Sequence, residues 1–253
     1  MIQVKEVNKS FQSKQVLFDV STSFLPGKVN MVIGKSGSGK TVLLKSLVGL
    51  HDVDSGAIIF DDVDFTNLKH KARINIRKEV GMLFQGSALF DSATIEENVM
   101  YPLDAFTDMT YEEKIERANF CLERVNMKGV NKLFPAEISG GMQKRAAIAR
   151  AIALNPKYLF CDEPNSGLDP QTAILIDELI SEITYEYGIT TVVNTHDINS
   201  VFSISDSIVF INEGRAWWNG TRDQLLSSGN EELDEFLFSS EIMQRLKPNV
   251  KKS

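Results

Sequence analysis

The chain has few cysteines, no long apolar run and no excess of positive charge, and each scarcity excludes a class of protein. No uninterrupted apolar run is longer than four residues, so we expect no membrane-spanning helix and no signal peptide. The net charge of −7 gives no field that would attract nucleic acid, and we expect no such partner. Cys121 and Cys161 are the two cysteines, and they lie far apart in the sequence. Cys161 falls in an apolar run, where a buried, reduced thiol is the default, so the composition favours the cytosol and disfavours a disulfide or a metal role.

The apolar content that is present suffices for one large core, or for one core with an attached subdomain. The chain has 253 residues, of which 43% are hydrophobic. Period-two alternation at the start predicts antiparallel strands, and later strands alternate with helices, which is typical of an α/β fold with a largely parallel sheet. We predict a single domain with a core at about 1–85 and 157–225. A helical subdomain is predicted at about 86–156 and a C-terminal helical tail at about 226–253.

The segment from Gly34 to Thr41 fits the phosphate-loop pattern G-x-x-x-x-G-K-[ST] at every fixed position. Its glycines let the backbone curl so that amide groups point at phosphate oxygens, next to the positive end of the following helix. Lys40 would reach the β- and γ-phosphates, and the Thr41 hydroxyl would bind Mg²⁺. A glycine-serine turn with a chance lysine is the alternative, which the order of strand, loop and helix disfavours. The predicted nucleotide-binding residues here are Gly34, Lys35, Ser36, Gly37, Ser38, Gly39, Lys40, Thr41 and Val42.

Two acidic residues, Asp162 and Glu163, directly follow the apolar run at 158–161. Ligands of parallel sheets bind at the carboxyl ends of the strands, which is where these carboxylates are predicted to lie. Asp162 would hold Mg²⁺ through water, and Glu163 would act as the general base on the attacking water. An acidic pair after a strand is ordinary by itself, and the phosphate loop is what makes this pair a candidate.

A second glycine-rich helix start is predicted at Ser139-Gly140-Gly141. Glycines that open a helix expose amide groups, so this is a second candidate anion site. The plainer interpretation is a serine N-cap before a glycine-rich turn.

With Ser139 lying 23 positions before Asp162, this segment resembles the signature motif of ABC-type ATPases. Five further motifs match that family in order over about residues 1–225. They are Phe11 at the position of the adenine-stacking aromatic, Gln85 at that of the Q-loop glutamine, Asp162 and Glu163 at the end of the Walker B motif, Ser166, Gly167, Leu168 and Asp169 at the D-loop, and His196 at the switch histidine. The signature departs from the commoner Leu-Ser-Gly-Gly-Gln, because Ile138 precedes the serine and Met142 stands where the glutamine is usual.

The resemblance implies an ABC-type P-loop ATPase with a RecA-like core, an N-terminal antiparallel β subdomain and an inserted α-helical subdomain. It implies ATP and Mg²⁺ as cofactors, with the metal held by Thr41, Gln85 and Asp162 and the catalytic roles taken by Glu163, His196 and Gln85. It also implies a homodimer in which each ATP lies between the phosphate loop of one copy and the signature of the other. The predicted signature residues are Ser139, Gly140, Gly141 and Met142.

The segment Ala88-Leu89-Phe90-Asp91-Ser92 looks like the corresponding part of the ATPase subunits of MCE-associated phospholipid transporters, the Mla-type systems. That likeness implies integral-membrane permease subunits, an MCE-domain lipid-binding partner, and a place on the cytoplasmic face of the inner membrane without insertion into it. A plain apolar loop packed on the subdomain is the simpler interpretation. An amino-acid importer ATPase and a non-transport cell-envelope ATPase remain alternatives. A binding module without turnover is disfavoured by Glu163 and His196.

The end of the chain is predicted to be helical from about 222 to 246. Acidic residues surround the apolar positions Leu233, Phe236, Leu237 and Phe238, and this amphipathic pattern allows docking on the chain's own core or on a second copy. Trp217 and Trp218, near a turn, fit either strand-end packing or an exposed partner surface.

Overall fold

The computed structural model describes residues 1–238, and over this part the chain forms two sheets and a set of helices. The strands are β1 Ile2–Phe11, β2 Lys14–Phe24, β3 Val29–Ile33, β4 Ser55–Phe60, β5 Val63–Asp64, β6 Val80–Leu83, β7 Tyr158–Asp162, β8 Thr190–Thr195, β9 Ser207–Asn212 and β10 Arg215–Gly220. The helices are α1 Lys40–Leu47, α2 His70–Lys78, α3 Ile95–Phe106, α4 Tyr111–Arg124, α5 Gly140–Ala151, α6 Pro170–Tyr187, α7 Ile198–Ile204, α8 Arg222–Leu225 and α9 Glu231–Leu237, with a 3₁₀ turn at Pro135–Glu137.

The first sheet is antiparallel, as the alternating N-terminal pattern predicts. Its four strands lie in the order β2-β1-β4-β5. Val4 and Phe24 on its inner face pack with Val32 of β3 and with Leu44 of α1 in one apolar core. This core joins the sheet to the phosphate loop's strand and helix.

The second sheet carries the candidate site. Its order is β10-β9-β3-β8-β7-β6, with all neighbours parallel except the pair β10 and β9. Every residue of β3, β7 and β8 is buried, which is typical of parallel strands covered on both faces. Because β8 lies between β3 and β7, the carboxyl ends of these three strands are adjacent.

The helical part between β6 and β7 is built from α3, α4 and α5, which pack on one another. Thr94 and Thr110 each close a capping box with a glutamate three residues later, which fixes the starts of α3 and α4. The helix predicted from Thr110 through Arg124 is confirmed. Val99, Cys121 and Ile148 are fully buried in a second core that reaches the other face of the large sheet.

The end of the chain differs from the expectation of one helix over 222–246. The structure has two short helices, α8 and α9, interrupted at 226–230. Gly229 adopts φ 65 in this interruption, and the Asn230 side chain accepts a bond from the Leu233 amide at 2.8 Å, so a turn and a new N-cap restart the helix. The rest of the predicted helix, from 239 on, lies outside the described residues.

The apolar face of α9 packs on the chain's own core, which is the first of the two docking modes that its pattern allows. Leu233, Phe236 and Leu237 are buried, and the rings of Phe236 and Phe210 lie 5.6 Å apart. Strand β10 was missed by the sequence patterns; within it Trp218 packs against the core, and Trp217 is 40% exposed. Within residues 1–238 none of the helices combines the length and apolar character that crossing a membrane requires.

Candidate nucleotide-binding and active site

The phosphate loop lies between the buried strand β3 and the helix α1. Gly34 adopts φ 150, and a Cβ at this position would lie 2.1 Å from the carbonyl oxygen of Ile211, so no side chain fits there. Gly39 is the N-cap of α1, and no side chain of the described residues caps this helix start. Ser38 Oγ is buried in the loop with no hydrogen-bond partner in residues 1–238. Uncapped amides and a free buried hydroxyl are the groups that an anion such as phosphate would satisfy.

Lys40 is nearly fully buried within the loop. Its Nζ donates to the carbonyl oxygens of Gly34 at 2.8 Å and Lys35 at 3.1 Å, and it lies 4.0 Å from Glu163 Oε1. Burial lowers the pKa of Lys40, and the nearby Glu163 and Asp162 carboxylates oppose that shift. The ammonium group is therefore held by the loop's own carbonyls at the place where phosphate oxygens are predicted to bind.

Thr41 and Asp162 form a pair of oxygen donors at the sheet's carboxyl edge. Thr41 Oγ1 donates to Asp162 Oδ1 at 3.1 Å, and Asp162 is 4% exposed. A hydroxyl and a carboxylate are hard oxygen ligands of the type that Mg²⁺ prefers. The amide nitrogen of Asn194, Nδ2, donates to both of these oxygens. The donor set thus fits the magnesium ion that the sequence predicts.

Glu163 and His196 face each other across the ends of β7 and β8. His196 Nδ1 lies 2.8 Å from Glu163 Oε2, and the Glu163 amide donates to the Asn194 carbonyl at 2.9 Å. Glu163 adopts φ 48, a left-handed conformation that costs a non-glycine residue on the order of 1–3 kcal/mol. That turn places the carboxylate between Lys40 and His196, and its role as the general base stays a prediction.

Gln85 lies beside the D-loop in this structure. Its Nε2 donates to Ser166 Oγ at 3.3 Å, and Lys144 Nζ donates to its backbone carbonyl. Within residues 1–238 no hydrogen bond of the side chain reaches Thr41 or Asp162. Its predicted roles as metal ligand and catalytic residue stay predictions.

Phe11 ends β1 with 40% of its surface exposed. Its ring meets the His51 ring edge-on at a centroid distance of 5.0 Å, and Lys9 Nζ lies 5.3 Å from its centroid. Burial and the charges of Lys45 and Lys9 lower the pKa of His51, which favours a neutral imidazole against the aromatic ring. Adenine stacking on Phe11 stays a prediction, and His51 is a neighbour that sequence reasoning missed.

The signature residues lie at the start of α5, where Ser139 is the N-cap. Ser139 Oγ accepts a bond from the Met142 amide at 3.3 Å, so Ser139 is an N-cap, and the anion site predicted at the same helix start stays a prediction. A Cβ on Gly141 would lie 2.6 Å from Thr172 Cγ2, so α5 approaches α6 closely here. A cleft of about 230 Å³ opens along this contact, lined in part by Ser139, Gly141, Met142, Arg145 and Thr172.

The D-loop joins the end of β7 to α6. Asp169 N-caps α6 by accepting from the amides of Gln171 and Thr172, both at 3.1 Å. Leu168 packs against the core, and a Cβ on Gly140 would lie 3.9 Å from its side chain. Signature and D-loop therefore share one surface of the molecule.

Three residues that hold the site together were not singled out from the sequence. Asn194, Lys144 and Arg150 each donate hydrogen bonds to site loops or site residues. A polar residue at the carboxyl end of a buried strand is a signal that could have identified Asn194. Lys144 and Arg150 had no comparable signal, because charged residues in a helix usually face solvent.

Fold and site together define a P-loop ATPase. A family model described as "ABC transporter" matches residues 17–166, and the chain belongs to that family. Dimeric MJ0796, an ATP-binding cassette in a post-hydrolysis state bound to ADP and Pi, has a TM-score of 0.81 to this chain at 30% identity, over 88% of this chain and 99% of that one. The chain thus has the ABC ATPase cassette fold, is an ATPase, and uses ATP and Mg²⁺.

Curated relatives carry different substrate names. The methionine import ATP-binding protein MetN of Campylobacter jejuni is 36% identical over 99% of this chain and 80% of its own length. The probable ribonucleotide transport ATP-binding protein mkl of Mycobacterium leprae is 37% identical, over 93% and 68%. The intermembrane phospholipid transport system ATP-binding protein MlaF of Haemophilus influenzae is 35% identical, over 94% and 90%. These identities are too close together to select a substrate.

Proposed function

We propose that the chain powers a phospholipid transporter as a homodimer bound to permease subunits on the cytoplasmic face of an inner membrane. One observation carries the hydrolytic part. Lys40, Thr41, Asp162, Glu163 and His196 converge where three adjacent parallel strands end. The dimer, the permease contact and the lipid substrate rest, in that order, on the start of α5, on an apolar groove and on the likeness to lipid-transport ATPases.

In the proposed reaction Lys40 exchanges its two carbonyl acceptors for the oxygens of the β- and γ-phosphates. Glu163 accepts the proton of the attacking water, and its hydrogen bond with His196 Nδ1 fixes the direction of the carboxylate. Thr41 and Asp162 would hold Mg²⁺, which neutralises charge on the phosphate oxygens when it is bound. The uncapped start of α1 adds amide donors to the same oxygens.

The substitution Glu163→Gln tests the base. We expect ATP binding to be kept and hydrolysis to fall about 10²–10⁴-fold, the usual contribution of a general base. A matched control is Glu6→Gln, because Glu6 is another glutamate at positive φ, 50, but lies in the exposed part of β1. Near wild-type turnover by Glu163→Gln would refute the assignment of the base.

The dimer part of the proposal rests on α5. Its amides at Gly140 and Gly141 begin a helix, and such a start attracts an anion. The terminal phosphate of an ATP held by one copy's phosphate loop would be shared with this helix start of the second copy, and its loss on hydrolysis would weaken the pair. With ATP present, Ser139→Arg should remain monomeric in light scattering. A stable ATP-dependent dimer of this variant would count against the shared site.

An apolar groove beside the Q-loop, the segment at 85–90 between β6 and α3, supports docking on a permease. It has a volume of about 410 Å³, and its lining includes Met82, Phe84, Phe90, Tyr101 and Phe106. Phe90, Tyr101 and Phe106 are 44%, 53% and 40% exposed. Large aromatic residues exposed together on one groove are typical of a protein contact site. The partner proposed here is a short amphipathic helix of the permease.

Phospholipid as the substrate is supported by the likeness of the segment at 88–92 to lipid-transport ATPases, and the 35% identity to MlaF is compatible with it without favouring it over the other relatives. An MCE-domain lipid-binding protein is the partner that this substrate class implies. Purification of the chain from detergent-solubilised native membranes, followed by lipid mass spectrometry, tests both. A permease together with an MCE protein and phospholipid is the expected result. Recovery of a periplasmic amino-acid receptor would overturn the lipid assignment and favour an amino-acid importer, in line with the 36% identity to MetN.

A further inference from the structure

Asn194 lies in the middle of the candidate metal site, although none of the predicted roles includes it. It is 0% exposed and belongs to β8, where it pairs with Val32 of β3 on one side and Asp162 of β7 on the other. Its Nδ2 donates to Thr41 Oγ1 at 3.2 Å and also to Asp162 Oδ1. One amide group therefore contacts both of the side chains that are expected to hold Mg²⁺.

The chemistry fixes the orientation of this amide. A carboxylate only accepts hydrogen bonds, so the nitrogen of Asn194 must face Asp162, and the oxygen must point elsewhere. That oxygen is buried and has no partner within residues 1–238. A buried amide with one unpaired oxygen is costly in a strand whose other interior positions include Val192 and Val193. The cost is consistent with a role at the site and not with packing alone.

The hydrogen bonds among these residues also determine which lone pairs of Thr41 and Asp162 remain free for a metal ion or its water. Asp162 Oδ1 accepts bonds from Thr41 and from Asn194, which leaves Asp162 Oδ2 for a metal-bound water. Thr41 Oγ1 donates to Asp162 and accepts from Asn194, so one of its two lone pairs remains for a cation. Because the amide is neutral, it holds the two oxygens together without a positive charge that would repel the ion.

We propose that Asn194 is a positioning residue of the metal site, which preorganises Thr41 and Asp162 as a ligand pair before a divalent cation binds. The proposal rests on the magnesium site of the proposed function. It assigns Asn194 no contact with the nucleotide and no proton transfer. Partners that orient metal ligands in this way change metal affinity about 10–100-fold when they are removed.

The test is Asn194→Leu, which keeps the branched shape of the side chain and removes its hydrogen bonds. Mn²⁺ is the probe, and the signal of free Mn²⁺ in electron paramagnetic resonance measures its binding to the protein with ADP. We expect the Kd for Mn²⁺ to rise about 10–100-fold, while the Kd for ADP in EDTA stays at the wild-type value. If Asn194→Leu does not fold, Asn194→Val is measured with the same expectation.

The matched control is Asn30→Leu. Asn30 is also a buried asparagine of this sheet, 1% exposed, but it lies near the opposite end of β3 and donates to the carbonyls of Leu25, Lys28 and Thr191. Its replacement should lower the melting temperature and leave Mn²⁺ affinity unchanged. Wild-type Mn²⁺ affinity in Asn194→Leu would overturn the proposal. If the wild-type protein bound no Mn²⁺ with ADP, the metal site of the proposed function would itself be wrong, and this inference would fall with it.

Discussion

Arg150 should control the conformation of the Q-loop, and Arg150→Met is the substitution that shows it. Its guanidinium donates to the Ala88 carbonyl at 2.6 Å and to the Ser87 carbonyl at 2.7 Å. Ser87 and Ala88 adopt φ 62 and 49, so two consecutive non-glycine residues are left-handed. The two hydrogen bonds of the arginine are the contacts that hold this strained pair against α5.

The hydrogen bonds of Arg150 stabilise the closed Q-loop, the left-handed backbone of Ser87 and Ala88 destabilises it, and the two energies are similar in size. Hydrogen bonds from a charged group contribute about 1.5–3 kcal/mol each, so the two bonds of Arg150 contribute about 3–6 kcal/mol. Each left-handed residue costs about 1–3 kcal/mol, which the loop recovers when it opens. Removal of the guanidinium should therefore lower the free energy of local opening by at least about 3 kcal/mol, and that raises the open population on the order of 100-fold.

Hydrogen exchange measures this opening. The amide of Ser87 donates to the Phe84 carbonyl at 2.9 Å, and the amide of Phe90 donates to Asn98 Oδ1 at 2.7 Å, so both amides report on the closed loop. Their protection should fall by about two orders of magnitude in Arg150→Met. The control is Arg145→Met, because Arg145 lies on the same helix and also donates to a backbone carbonyl, that of Asn126 at 2.9 Å. Unchanged protection in Arg150→Met, or an equal loss in the control, would refute this reasoning.

Three further predictions concern stability and reactivity. Phe236→Ala should cost about 3–5 kcal/mol and lower the melting temperature by roughly 6–20 °C, because the ring is buried. Glu235→Ala on the exposed side of α9 should leave the melting temperature nearly unchanged, because its ion pair with Lys35 is exposed to solvent; calorimetry compares the two. Burial raises the pKa of Asp177, so this residue makes the folded protein less stable as the pH rises from 3.8 through the folded pKa of the carboxyl. Asp177→Asn should therefore raise the melting temperature at pH 8, and this gain should disappear as the pH falls toward 3.8. Burial raises the pKa of Cys121 to about 11 and also raises that of Cys161, so an aromatic disulfide reagent at pH 8 should leave both thiols unmodified in the native protein. The same reagent should modify both in guanidinium, and native-state modification would contradict the buried positions.

Local sequence patterns were enough to locate the phosphate loop and most of the elements around it. The loop, the strand before it and the helix after it occupy consecutive residues, so their arrangement follows from short-range geometry. The N-cap at Ser139 and the capping box at Thr110 are also local, and both lie at the predicted helix starts. The adjacency of Thr41 and Asp162 followed from a general rule, because parallel strands end at one edge of the sheet.

Contacts that depend on approach between distant segments could not be predicted in this way. Asn194 meets Thr41 across 153 positions of sequence, and Arg150 meets Ser87 across 63. No periodicity indicates that a lysine or arginine in a helix turns inward to a loop carbonyl. The break at 226–230 was missed for a related reason, because the apolar spacing of α9 continued the helical pattern while Gly229 and Asn230 favoured a turn.

The helix α5 connects the elements that the proposed cycle requires to move together. Ser139 caps its first turn, Lys144 in its second turn donates to the Gln85 carbonyl, and Arg150 near its end holds the Q-loop carbonyls. Gln85 in turn contacts Ser166 of the D-loop. A helix of 12 residues is a stiff element about 18 Å long, so a shift of its N-terminus toward a second copy's nucleotide would displace Lys144 and Arg150 as well. Those two side chains hold the Q-loop next to the apolar groove. Closing of the dimer would therefore move the Q-loop at the proposed permease site through these hydrogen bonds. The Q-loop would move as a unit, and no rearrangement within it is required.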